Sequence, residues 1–469
     1  MTISRVELIE EFGRAADLGN AAIFIGAGLS RGVGLPGWGQ LLDGPAKQAD
    51  VPIGGDLPLV AEYVVLSGNL TDEQLASSIR TQILEVGAKP GPAHRNLARL
   101  PVDQIWTTNY DTLIEDVCTD DEVVVADFDV TRVGATRRSV IKMHGSINAT
   151  GWAEKPVITR KHYEEYQQSH PRTWALLRAT YLSRTMLFLG FSFTDPNIDI
   201  LLQLARTLNT SVGDRHMAVM RRPGPGDIDV DPRLHSLRVR DLEGSGVRIL
   251  EIDDFSDLDA LLAALVRRTR PTRLFVSGSF EAGASSPGAE ACRAIAAQLA
   301  ERREWTLVSL GGPSGWRVSQ QVGAHRRAED SYEAQQFEFH FREASHPPEP
   351  PAERLGTAFY HAKTREALVP WLLDESRAML VVGGGTRTLE EIAWADAAGV
   401  PVIPLAYSGG SARTRWQALV ENPPSIGGQP TSRELWERLG NTNPDIASRA
   451  GLSLLDRAMY HDATRHPRK

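Results

Sequence analysis

The stretch Ala22-Ile-Phe-Ile-Gly-Ala-Gly-Leu-Ser30, continuing Arg31-Gly-Val-Gly-Leu-Pro-Gly-Trp38, decides how the chain folds. Ala22 to Ile25 is a short β-branched and aromatic run that predicts a buried strand. Gly26 and Gly28 then let the backbone turn sharply with bare amides exposed, as phosphate-cradling loops require. Ser30 is placed to cap the next helix or to bond a phosphate oxygen. Taken alone, Gly-Ala-Gly after a strand fits a nucleotide site and a plain tight turn equally well.

Working outward, residues 3–18 read as a helix leading into this strand, and the pattern from Trp38 to about Leu100 is helical. Further strands are expected at Gln104 to Thr108, Glu122 to Ala126, Ser139 to Met143, Thr185 to Leu189, His216 to Met220 and Val247 to Ile252. Helical stretches cover about Lys161 to Ser183 and Thr194 to Leu208. Four of the apolar strands end in groups rich in polar or small residues: Gly26 to Ser30, Asn109-Tyr-Asp111, His144-Gly-Ser146 and Gly190-Phe-Ser192. In an open parallel sheet, ligands bind at the carboxyl ends of strands, so four such endings point to one shared nucleotide crevice. Each has a plainer reading. His144-Gly is a common turn, Asn109 with Asp111 an ordinary strand end, and Asp195-Pro196 a helix start; Trp38 and Trp106 read as core.

With 469 residues the chain has room for two domains of ordinary size, and 42% hydrophobic with 23% charged residues is the balance of a soluble globular protein. A net charge of −8 argues against non-specific binding to nucleic acid or to anionic membrane. Two distant cysteines, Cys118 and Cys292, build neither a disulfide framework nor a zinc cluster within one chain, so no metal is expected. The apolar runs are too short to span a bilayer, and the acidic, amphipathic N-terminus is not a secretory signal. A cytoplasmic protein is expected.

After an amphipathic helix from Phe255 to Val266, Arg267-Arg-Thr-Arg-Pro-Thr-Arg273 reads as a basic joint, most simply a solvated connector, with contact to the partner domain as the alternative. The βα alternation then restarts. Strands are expected at Leu274 to Ser277, Thr306 to Leu310, Gln336 to Phe341 (half-exposed), Ala378 to Val382 and Val400 to Leu405. Helices are expected at Gly288 to Arg303 and Lys363 to Leu373, and His346 to Pro351 reads as a proline-rich loop. The strand ending at Val382 runs into Gly383-Gly-Gly-Thr-Arg-Thr-Leu-Glu-Glu391, where Thr388-x-x-Glu391 is also a capping box. The fold class expected is therefore α/β, with two Rossmann-like parallel-sheet domains at 1–268 and 274–469 joined by 269–273.

The ordered set Gly26-Ala-Gly-Leu-Ser30 with Gly34-Leu-Pro36, Thr107-Thr-Asn-Tyr-Asp111, Lys142-Met-His-Gly-Ser146 and Gly190-Phe-Ser192 with Asp195-Pro196 resembles a sirtuin-type NAD-binding domain of the branch found in bacterial defence proteins. The resemblance implies that Gly26, Ala27, Gly28 and Ser30 hold the NAD pyrophosphate and ribose, and that Gly190 and Ser192 line the adenosine side. It also implies that Asn109 positions water near the nicotinamide ribose, that His144 acts as base on a ribose hydroxyl, and that Asp111 orients this network. Such chemistry suits the residue types: a cationic pyridinium leaves readily, and the oxocarbenium-like centre left behind needs positioning and electrostatic support. A neutral imidazole can take the ribose proton. The four-cysteine zinc module of the deacetylases is absent. Water is then the expected acceptor, giving nicotinamide and ADP-ribose, with NAD-dependent deacylation or non-catalytic nucleotide sensing as alternatives.

Gly383 to Glu391 resembles the glycine-rich signature of the SLOG superfamily at Gly384, Gly385, Thr388 and Glu391, with Gly383 in place of a proline and Arg387 in place of a third glycine. The substitutions favour ligand binding over phosphoribohydrolase activity. Arg387 is placed to pair with a phosphate and Glu391 with a ribose hydroxyl. Arg365, Gly278, Ser279, Phe280 and the Gly311-Gly312 loop would form the rest of the pocket. A sirtuin-like domain followed by a SLOG domain resembles the NADase effectors of the Thoeris antiphage system. That resemblance implies a homotetramer switched on by a cyclic ADP-ribose isomer, itself made by a partner protein with a Toll/interleukin-receptor domain.

Overall fold

A computed structural model describes residues 2–134, 138–148, 156–191, 193, 195–207, 215–224, 232–281, 286–343 and 355–460. Ser192 and the proline-rich segment 346–351 lie outside the described residues. The chain divides into two compact units, Met1–Thr269 and Arg270–Lys469.

In the first unit seven strands form one sheet: β1 (Ala21–Ile25), β2 (Gln104–Thr107), β3 (Glu122–Val124), β4 (Ser139–Lys142), β5 (Thr185–Leu189), β6 (His216–Arg221) and β7 (Val247–Ile252). Their order is β3-β4-β2-β1-β5-β6-β7, with parallel neighbours throughout. β1 and β5 are buried along their whole length, which is why both read as unbroken apolar runs rather than alternating ones. Alternation still sorts the two faces. Ala21, Ile23 and Ile25 pack with the helices Arg5–Asp17 and Asp257–Thr269, while Ala22 and Phe24 pack with Tyr166, Trp174 and Leu177. The chain winds outward from β1 on one side and returns to β5 on the other, so the order reverses between these two strands. Between β1 and β2 the helices Trp38–Gln48, Leu57–Leu66 and Asp72–Val86 bury a core of their own, and Tyr110, Ile147 and Ile158 from the loops after β2 and β4 join it.

The stretch expected as one helix over 161–183 is three: Arg160–Glu164, Tyr166–Ser169 and Pro171–Ser183. Pro171 lacks an amide hydrogen and is suited to opening a helix, so it restarts the run.

The second unit holds β8 (Arg273–Ser277), β9 (Thr306–Ser309), β10 (Phe337–Arg342), β11 (Thr357–His361), β12 (Ala378–Val382) and β13 (Val402–Leu405) in the order β11-β10-β9-β8-β12-β13, again all parallel. Here the order reverses between β8 and β12. Sequence reading misses β11, an exposed edge strand without an apolar core face, and the helix Pro313–Ala328, whose Pro-Ser-Gly start and polar composition hide it. β10 lies inside the sheet, paired on both sides, with Phe337, Phe339 and His340 buried and Glu338, Phe341 and Arg342 partly or fully exposed.

The arginines at the joint are not solvated. Arg268 Nε lies 3.1 Å from each Glu10 oxygen, and its Nη1 lies 2.8 Å from Asp17 Oδ2. Gly13 makes room for it, since a Cβ there would lie 2.6 Å from Arg268 Cγ. Arg270 donates to Ser376 O and Asp374 Oδ1, each at 3.0 Å. Two arginines two residues apart thus clasp two different units, each its own.

Candidate functional site

The loops after β4, β2, β1 and β5, adjacent in that order, gather His144, Asn109, Gly26 and Gly190 at one end of the first sheet. The glycines serve a tighter purpose than the sequence suggests. Gly26 N donates to Leu189 O (3.0 Å) and Gly28 N to Gly190 O (2.8 Å), so neither amide stands bare for a phosphate. A Cβ on Gly26 would lie 2.6 Å from Gly190 O, and one on Gly28 2.6 Å from Gly190 Cα. Gly190 itself has φ +61°, and a Cβ there would meet Leu29 N at 2.6 Å. The β1 and β5 loops therefore lie backbone to backbone, which only residues without side chains allow. Ala27 is exposed at this crest.

Ser30 does not cap the next helix, whose first flanking residue is Gly26. Its buried hydroxyl donates to Asp111 Oδ2 (2.9 Å) and accepts from Asn109 Nδ2 (3.0 Å). Asn109 Nδ2 also reaches Gly26 O at 3.3 Å, and Asn109 N is held by Thr107 Oγ1 at 3.0 Å. Asp111 Oδ1 accepts from Leu113 N (3.1 Å), and Lys142 Nζ donates to Asp111 O. Lys142 is buried and finds its countercharge in Glu115 Oε1 at 2.7 Å, which Ser146 Oγ also approaches. Ser30, Asn109 and Asp111 thus form one chain of hydrogen bonds joining two loops. The ion pair beneath holds that chain rigid.

His144 is 3% exposed, with Tyr163 edge-on at 5.0 Å and Tyr166 at 6.3 Å between ring centroids. Its Nε2 lies 3.2 Å from Asp195 Oδ2 but makes no hydrogen bond with it, and no other partner among the described residues satisfies it. Burial drives the imidazole down to about 3, with His170 adding in the same direction, so His144 is neutral and available as a base. Burial pushes Asp195 up to about 6, against the backbone amides of Asn197 and Ile198, which hold it down. Sequence reading took Asp195 only as a helix start, and the structure also sets it against His144. Asp195-Pro196 does open a helix, Pro196–Thr207, and that sufficient explanation hides the second carboxylate oxygen aimed at His144. Among the described residues no group of three His, Cys, Asp or Glu side chains is arranged to hold a metal ion.

In the second unit the loops after β8 and β12 also meet backbone to backbone. Gly384 N donates to Ser279 O (2.7 Å), and a Cβ on Gly278 would lie 2.0 Å from Val382 O. Glu391 is 7% exposed and is held by Arg365 Nη2 at 2.9 Å and by Ser277 Oγ. Arg365 also donates to Arg387 O (2.7 Å) and lies over Trp394. Thr388 packs under Gly384, while Gly385 and the Arg387 side chain are exposed. The helix begins at Thr386 with Gly385 before it, so Thr388 and Glu391 are not its capping box. Phe280 turns inward, its Cβ where a Cβ on Gly288 would clash at 2.5 Å. The structure therefore gathers Gly278, Ser279, Arg365, Gly384, Thr388 and Glu391, and spends Phe280 on packing.

Residues 103–242 match the sequence profile of the SIR2-like domain. The chain is similar to proteins named NAD(+) hydrolase ThsA. That of Cytobacillus dafuensis is 30% identical over 298 residues, 60% of this chain and 59% of that protein; that of Enterococcus faecium is 33% identical over 297 residues, 58% and 60% respectively. Defense-associated sirtuin 2 of Bacillus subtilis is 25% identical over 263 residues, 54% of this chain and 25% of that protein. The chain thus spans about 60% of the length of the ThsA relatives it matches.

Proposed function

We propose that the first unit hydrolyses NAD+ to nicotinamide and ADP-ribose as part of an antiphage defence. The observation carrying this reading is the neutral, buried His144 on the loop after β4, next to the loops after β2 and β1 that carry the Asn109–Ser30–Asp111 chain. Departure of nicotinamide leaves a cationic sugar centre. Asn109 holds water against it without neutralising its charge. His144 takes the proton of a ribose hydroxyl, and Asp111 fixes the network. Asn109 Nδ2 donates to Gly26 O and Ser30 Oγ, so its Oδ1 is the atom that accepts a hydrogen bond from the water. Similarity to proteins named NAD(+) hydrolase supports the reaction class.

In the same reading the second unit is a SLOG-type sensor. A cyclic ADP-ribose isomer made by a Toll/interleukin-receptor-domain partner binds at Gly384, Gly385, Arg387 and Glu391 and activates a cytoplasmic homotetramer. Glu391 is already tied to Arg365, so a ribose hydroxyl there joins an existing ion pair. A signal activates only by binding the active arrangement more tightly than the resting one.

The test incubates the purified full chain with NAD+, with and without cyclic ADP-ribose isomers, and separates the products. Nicotinamide and ADP-ribose in equal amounts, increased by one isomer, is the expected result. Turnover only with an acylated peptide assigns a deacylase instead, and bound but uncleaved NAD+ assigns a sensor.

A further inference from the structure

Asp195 divides its two oxygens between two tasks. Oδ1 accepts from Asn197 N at 2.8 Å and Ile198 N at 3.3 Å, capping the helix Pro196–Thr207. That cap fixes the carboxylate plane, and the positive end of the helix favours the anion. Oδ2 is thereby aimed at His144 Nε2, 3.2 Å away. Both side chains are nearly inaccessible, and Tyr110, Tyr163 and Tyr166 close the space around them, so their interaction is little screened by water. Hydrogen bonds of this kind are commonly out of line in an empty site and tighten once substrate is bound. The adjoining Asn197 side chain is fully buried, and neither of its amide atoms has a partner among the described residues.

We propose that Asp195 is the positioning residue of His144: it holds the imidazole as the Nε2–H tautomer and leaves Nδ1 to take a ribose proton. The O–H bond of the ribose hydroxyl breaks, an N–H bond forms at Nδ1, and the imidazolium that results lies against the Asp195 carboxylate. A carboxylate that orients a histidine base and steadies its charged form acts without touching substrate. The inference rests on the NAD-cleavage reading.

The experiment compares wild type with Asp195→Asn in the full chain. Asparagine keeps the shape and the cap but removes the charge. The expected result is a kcat lower by about 10²–10³-fold with KM for NAD+ within about threefold. Wild-type kcat should fall as pH drops through about 6, where Asp195 protonates, and Asp195→Asn should lack that limb. The other titratable groups facing the pair are Tyr110, Tyr163, Tyr166 and His170, with Asp127 near Tyr166; His170→Gln should keep the limb. A wild-type kcat and an unchanged limb in Asp195→Asn overturn the proposal, because a cap alone would survive the substitution. Nitrogen NMR of histidine-labelled chain, assigned with His144→Ala, gives a readout that needs no turnover. An Nε2–H tautomer in wild type, lost in Asp195→Asn, is expected; an Nδ1–H tautomer in wild type overturns the proposal. No nicotinamide from wild type under any signal sinks the NAD-cleavage reading instead, and the NMR result still decides how Asp195 acts.

Discussion

At the strand ends of the first unit some buried polar atoms have no partner among the described residues, while beside the β8/β12 reversal of the second Glu391 is paired off. His144 Nε2 and both amide atoms of Asn197 have no hydrogen-bonding partner among the described residues of the first unit. Glu391 in the second already has Arg365 and Ser277. The two sheets share one construction, parallel strands with glycine loops lying backbone to backbone, and differ in what stands at the loop tips. An arrangement that keeps an uncharged imidazole dry beside a carboxylate costs stability and suits proton transfer. One that satisfies its carboxylate beforehand suits recognition.

The largest expected effect lies at the strand ends of the first unit. Asn109→Ala and His144→Ala should each lower kcat for NAD+ by about 10²–10⁴-fold while thermal unfolding moves little, and steady-state nicotinamide release checks this. Retained turnover in both would erase the contrast between the sheets. Next comes the joint: Arg268→Ala should destabilise the first unit by about 3–5 kcal/mol, because it breaks a buried ion pair with Glu10; urea unfolding measures it. The glycine loops sharpen the comparison further. Gly190→Ala, strained at φ +61° and blocked by Leu29 N, should cost about 3 kcal/mol. Gly385→Ala in the second unit, with nothing within 4 Å of its Cβ, should stay within about 0.5 kcal/mol in the same assay. Acid sensitivity is a further expected effect. His144 and His216 are both held by burial at about 3, below their unfolded value of 6.5, so the unfolded chain binds more protons as pH falls below that value. Each then favours unfolding by on the order of 1–2 kcal/mol at pH 5. Asp195, raised to about 6, opposes them in part. A melting temperature that falls from pH 7 to 5, less steeply in His216→Gln, is the expected result.

Most of the strands were legible because buried parallel strands are unbroken apolar runs, as at Ala22 to Ile25 and Thr185 to Leu189, and because their loops punctuate them with glycine. β11 was not, since an exposed edge strand carries no such run. Asn109, Asp111 and His144 stood out as polar residues at strand ends. Asp195 did not, because a helix cap accounts for an Asp-Pro pair completely and only the folded chain shows where its second oxygen points. The bare amides expected at Gly26 and Gly28 failed for a related reason: a sequence shows which backbone is free of side chains, not which carbonyl comes to meet it. Arg268 and Arg270 misled as a basic connector, because their acceptors are distant in sequence at Glu10 and Ser376.

The most direct test of the division between the units is NAD+ turnover against signal concentration in Asn109→Ala and Glu391→Gln side by side. The account predicts that Asn109→Ala still binds the signal yet turns over at no concentration, while Glu391→Gln needs about tenfold more signal and reaches the wild-type plateau. A Glu391→Gln plateau as low as that of Asn109→Ala, or wild-type turnover in Asn109→Ala, would contradict it.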